Sequence, residues 1–115
     1  MPRRHQPGKY FHRAVESGGV IYLSGMVASD LTAGMKAQTL SCLGKVAASL
    51  EELGSDKSRI LMATAYITDM GQKDAMNEAW VEFFAPGELP ARATIGVASL
   101  GPGVLVEVVC TAEHG

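Results

Sequence analysis

Two charged residues stand inside otherwise apolar, strand-like runs of the sequence. They are Arg92 in Pro90-Ala91-Arg92-Ala93-Thr94 and Glu107 in Val104-Leu105-Val106-Glu107-Val108-Val109. Side chains alternate between the two faces of a strand. Arg92 therefore shares a face with Thr94 and Gly96, and Glu107 with Leu105, Val109 and Thr111. Burying a carboxylate unpaired costs several kcal/mol, so Glu107 needs a partner or a task. Arg92 is expected beside it, because consecutive strands of a hairpin usually pair. Two plainer readings stay open: a solvated strand-end arginine with an edge glutamate, or a salt bridge with no further role.

Other chemistry-bearing positions are more isolated. Ser24-Gly25 closes a strand pattern, where a small residue either lets a ligand approach the backbone or simply makes a turn. Asn77 lies beside the apolar stripe of Trp80, Val81 and Phe84, as a pocket residue or as a satisfied core-edge amide. His5 and His12 have no neighbours arranged as ligands or triad partners. Cys110 and His114 straddle a strand end without a C-x-x-C or H-E-x-x-H pattern, so no metal site is expected. No phosphate-cradling glycine motif is present. Arg3, Arg4, Lys9 and Arg13 interleave with Tyr10 and Phe11, a pattern that suits single-stranded nucleic acid or, more plainly, a solvated arm.

These residues need a scaffold to position them. Tyr10 to Val15 and Val20 to Val27 read as strands joined by a tight hairpin at Glu16-Ser17-Gly18-Gly19. Helical spacing runs from about Met35 to Leu53, with Ser29, Asp30 and Thr32 as cap candidates and Gly54 as the C-terminal stop. Arg59 to Thr68 reads as a strand covered on both faces. A second helix runs from about Lys73 to Phe84, and the last two strands are Ala91 to Ala98 and Val104 to Thr111. The first eight residues read as a flexible arm before a single domain over 1–115. The order is ββαβαββ, an α+β two-layer sandwich with both helices on one face of a mixed sheet.

The chain has 115 residues, a formal charge of −2, 47% apolar and only 19% charged residues. That balance argues against disorder and against a nucleic-acid partner. No apolar stretch is long enough to span a membrane, so no membrane partner is expected. Gln6, Pro7, Gly8 and Lys9 stand where a signal core would begin, which makes the cytoplasm the expected compartment. The apolar surplus belongs to the sheet face that no helix covers, and a subunit interface there is expected.

Taken in order, Val20-Ile21-Tyr22-Leu23-Ser24-Gly25, Gln38-Thr39, Leu53-Gly54, Thr64-Ala65-Tyr66-Ile67-Thr68-Asp69-Met70, Asn77, Pro90-Ala91-Arg92-Ala93-Thr94 and Val106-Glu107-Val108 resemble the arginine-containing branch of the RidA/YjgF family. The resemblance spans about residues 10 to 112. It implies a chorismate-mutase-like fold and a homotrimer with sites in the clefts between subunits. It also implies cofactor-free hydrolysis of reactive imines and enamines, such as 2-aminoacrylate, to a keto acid and ammonia. Position by position, Arg92 matches the residue that grips the substrate carboxylate, and Glu107 the one that positions or activates water. Ser24 and Gly25 match the strand end lining the pocket, and Asn77 a pocket-side asparagine. A guanidinium suits the first role because its planar fork meets a carboxylate with two donors. An imine carbon is already electrophilic, so oriented water and a proton relay suffice.

Two positions depart from the family pattern. Phe11 replaces the pocket tyrosine, and Thr94 replaces the cysteine two residues after the arginine; His12 or Arg13 then becomes available for a different contact. Two rival functions follow the same residues. One is a non-catalytic trimer that binds a small carboxylate metabolite. The other is a ribonuclease or translation inhibitor, which the acidic balance and the lack of a paired catalytic histidine disfavour.

Overall fold

The computed structural model describes residues 1–115. Its strands are β1 (Arg3–Pro7), β2 (His12–Ser17), β3 (Val20–Leu23), β4 (Met26–Val27), β5 (Ile60–Ile67), β6 (Ala91–Gly96) and β7 (Val106–Glu113), with helices α1 (Met35–Glu52) and α2 (Lys73–Phe83). One mixed sheet runs β1-β2-β3-β7-β5-β6, with β4 continuing along β7 beyond β3. This is the expected α+β two-layer arrangement.

Local sequence explains most of the elements. Gly18 and Gly19 both take positive φ (59° and 79°), which the tight β2–β3 turn needs to match the twist of its strands. On α1, Met35, Gln38, Thr39, Cys42, Leu43, Val46, Ser49 and Leu50 are buried at helical spacing. Gly54 follows the helix, and Ser55 N–H closes the end by donating to Leu50 O at 2.8 Å. Buried Gln38 has its amide fully engaged: Nε2 donates to Ala33 O and Gly103 O, and Oε1 accepts from Leu105 N. It thereby fixes the turn from which β7 enters the sheet.

The core lies between the helices and one sheet face, where Ile21, Leu23, Met26, Ala63, Ala65, Ile67, Val106, Val108 and Cys110 meet Leu43, Val46, Leu50, Met76 and Trp80. Cys42 and Cys110 are buried free thiols, and desolvation pushes each pKa up to about 12. The opposite face carries Tyr22, Thr64, Tyr66, Glu107 and Val109 with no helix over them.

Three expectations need correction. The N-terminal segment is not a free arm: Arg3–Pro7 pairs with β2 as an edge strand. Its anchor is buried Glu16 on β2, whose carboxylate takes Arg3 Nη2 at 2.9 Å and His5 Nε2 at 2.8 Å, with His114 Nε2 at 3.6 Å. The strand expected over Val20 to Val27 breaks at Ser24-Gly25 into β3 and β4. Finally, Gly34 and not Ser29, Asp30 or Thr32 stands at the N-cap of α1; Asp30 Oδ1 instead accepts from Thr32 N at 3.0 Å.

Burial opposes the charge of Glu16, but the hydrogen bonds of Arg3 and His5 outweigh it and hold the carboxyl pKa below its ordinary value. A depressed folded pKa contributes stability above the unfolded value, and that stability is lost as pH falls through the folded one. Glu16→Gln should therefore lower the melting temperature by about 2–5 °C at neutral pH and by progressively less towards about pH 3. Thermal melts across that range check this, and a constant difference would show that the contribution is not electrostatic.

Candidate functional site

Register along β5 decides where the charged residues go. Ala63 pairs with Arg92 in the parallel β5–β6 ladder, and Tyr66 pairs with Glu107 in the antiparallel β5–β7 ladder. Paired residues share a face, and Ala63 and Tyr66 are an odd number of residues apart, so Arg92 and Glu107 lie on opposite faces. β5 also stands between them, which separates their strands by about 10 Å. The expected Arg92–Glu107 neighbourhood within one chain does not form. The connection from Val97 to Leu105 is not a tight hairpin, and β7 enters the sheet between β3 and β5.

Arg92 instead faces the helix layer at the β6 edge. It is half-buried, and its guanidinium carbon sits 5.0 Å from the centroid of the Trp80 ring on α2. Such stacking contributes about 1 kcal/mol and fixes the plane of the fork. Desolvation lowers its pKa from the ordinary value, and the group stays cationic. No carboxylate of the chain pairs with it. A cavity of about 440 Å³ opens there, lined by Asn77, Trp80, Val81, Leu89, Pro90 and Arg92. Thr94 is half-buried on the same face of β6, two residues further on.

Ser24, Gly25 and Phe11 assemble elsewhere. Ser24 Oγ donates to His12 O at 2.7 Å and Ser24 N to Arg13 O at 2.9 Å, so the strand break is tied to the start of β2. The Glu107 carboxylate rests on Gly25: a Cβ there would fall 2.0 Å from Glu107 Oε2. Only glycine leaves that oxygen its place. Gly25 also lines a second cavity, of about 430 Å³, together with Phe11, Arg13, Ser24, Met26 and Lys45 among others. Phe11 is 65% exposed at its rim.

The candidate residues thus form two groups on one chain. Asn77, Arg92 and Thr94 lie at the β6 edge, and Phe11, Ser24, Gly25 and Glu107 lie around the β3–β4 break. His12 is outside both cavities and contributes its backbone carbonyl. Sequence reasoning did not single out Trp80 as the platform for Arg92. Its signal is faint: it is the single tryptophan of the chain, and its core position hides the second role. No cluster of three or more His, Cys, Asp or Glu side chains has a metal-holding arrangement, and both thiols are too deeply buried to act as nucleophiles. No helix is long and apolar enough to cross a membrane.

A family model described as Endoribonuclease L-PSP matches residues 3–114. A RutC family protein of Haemophilus ducreyi is 39% identical over 94 residues, covering 82% of this chain and 80% of that protein. The RutC family protein YoaB of Escherichia coli is 36% identical over 88 residues, covering 76% of each. The crystal structure of NMB1025, a YjgF-family protein of Neisseria meningitidis, superposes with a TM-score of 0.91 at 34% identity, covering 100% of this chain and 96% of that one. With sequence and backbone matched over nearly all its length, the chain belongs to the RidA/YjgF family.

Proposed function

We propose that this protein hydrolyses reactive imines and enamines of 2-keto acids, with Arg92 and Glu107 contributed to each site by different subunits of a homotrimer. The observation that carries the reading is the state of these two charges. Each is held in place by a purpose-fitted neighbour, Trp80 or Gly25, and neither has an ion-pair partner in its own chain. Their separation across the sheet supports a site completed by a second chain. The uncovered sheet face supplies the apolar surface for that contact.

In this mechanism the Arg92 fork binds the carboxylate of the 2-imino acid, with Trp80 behind it. Glu107 orients a water molecule towards C2. The water oxygen bonds to C2 of the protonated imine as the C=N π electrons move to nitrogen, and Glu107 accepts the proton released by the water. Glu107 then returns that proton to the nitrogen of the tetrahedral carbinolamine; as the C–N bond breaks, the hydroxyl oxygen forms the C=O bond and gives its proton to Glu107, and ammonia leaves a keto acid. An enamine enters the same route after protonation at carbon gives the imine. Metabolite binding without turnover would use Arg92 but gives Glu107 no role. Net charge of −2 gives RNA little electrostatic footing, which weighs against a ribonuclease role suggested by the family model's description.

Arg92→Ala should lower kcat/KM for 2-iminobutyrate by about 100-fold, since a charge-assisted bidentate contact contributes about 2–3 kcal/mol. Glu107→Gln should lower kcat by a similar factor. Keto-acid release from imine generated in situ measures both, and a rate no greater than the spontaneous one in the wild type sinks the reading. Co-expressing the two variants should restore roughly a quarter of the wild-type activity, because random assembly gives some interfaces an intact Arg92 and an intact Glu107. No restoration would mean that each site is built within one chain. Gly25→Ala should depress kcat more than it raises KM, because the new methyl displaces the Glu107 carboxylate and not Arg92.

A further inference from the structure

The cavity at the β3–β4 break holds more positive charge than imine hydrolysis requires. Arg13 of β2 and Lys45 of α1 both line it, against one carboxylate, Glu52, which the Gln6 amide already engages. Arg13 is exposed, and its guanidinium meets only the thioether of Met26, with Nη1 to Sδ at 3.5 Å. A thioether is a weak acceptor, so nearly all the donor capacity of the fork is free. Lys45 Nζ donates to Val27 O at 2.7 Å, which steadies the ammonium in the cavity wall and leaves further donors. No ion pair within the chain takes either charge.

The position of this cavity gives the charges a meaning. Gly25 is both part of its lining and the seat of Glu107. A substrate whose C2 lies over Glu107 and whose own carboxylate points to Arg92 has its side chain left to enter the cavity. An aliphatic side chain there would desolvate two cations without offering a counter-charge, which is costly. A side-chain carboxylate meets both, and the planar Arg13 fork matches it with two donors. We propose that Arg13, seconded by Lys45, makes this protein selective for 2-imino acids that carry a second carboxylate, the imines of acidic amino acids. The proposal rests on the imine-hydrolysis reading and assigns Arg13 as the residue that distinguishes among such substrates, while Arg92 holds the group they share.

The test compares 2-iminoglutarate with 2-iminobutyrate, each generated in situ by an amino-acid oxidase, on the full-length protein and on Arg13→Gln. The wild type should favour the dicarboxylate by about 10-fold or more in kcat/KM, and Arg13→Gln should shrink that ratio by about 10-fold. Arg13→Lys, with the charge but not the fork, should fall between. A wild-type preference for the neutral imine, or a ratio that Arg13→Gln leaves unchanged, overturns the proposal while imine hydrolysis stands. If neither imine is hydrolysed, the parent reading fails, and calorimetry with 2-oxoglutarate and 2-oxobutyrate decides the role of Arg13. Tighter binding of the dicarboxylate that Arg13→Gln abolishes supports it; equal affinities overturn it.

Discussion

A strand shows successive side chains to opposite faces, and β5 imposes that alternation on the neighbours at both its edges. Through Ala63 it turns Arg92 towards the helices, and through Tyr66 it turns Glu107 towards the uncovered face. A slip of one residue in either ladder would invert the strand concerned and expose part of the core. The burial of Ala63, Ala65 and Ile67 on one side and of Val106, Val108 and Cys110 beside them therefore locks the direction of both charges. Packing and site geometry are set by the same register.

That register leaves the chain with two separate groups of candidate residues. One is a cation on an aromatic platform beside a cavity at the β6 edge. The other is a carboxylate seated on a glycine where β3 gives way to β4. Neither group offers an oriented acid and base to the same small molecule. A domain of this size has little interior left once its core is filled, and the proposed site between copies would avoid excavating one. On the proposed reading, the apolar residues of the uncovered face and the separation of the two groups are two aspects of one arrangement.

Elements governed by local rules were legible in the sequence. The apolar period of α1, the Gly54 stop and the Gly18-Gly19 turn all follow from residue type and spacing. The neighbours of Arg92 were not legible: the α2 crossover is consistent with parallel β5 and β6, but adjacency in sequence also favours a β6–β7 hairpin, and nothing local reveals that β7 enters between β3 and β5. β1 was hidden for a different reason: its residues are polar, and it is held by backbone pairing with β2 and by hydrogen bonds of Arg3 and His5 with Glu16 rather than by an apolar pattern. For the site, residue types carried the chemistry of Arg92, Glu107 and Gly25. The face each one occupies depends on long-range register, which composition and periodicity do not encode.

The clasp at Glu16 has an implication for how the chain is closed. Arg3 near one terminus and His114 near the other reach the same carboxylate, so the two ends of the fold lie side by side. Joining them with a short linker would add little loop-closure cost. New ends could then be opened at the exposed Gly101-Pro102-Gly103 turn without cutting any strand. The linear order of the strands is thus one of several routes through the same sheet, with the corner at Glu16 acting as the point where the circuit is already nearly joined.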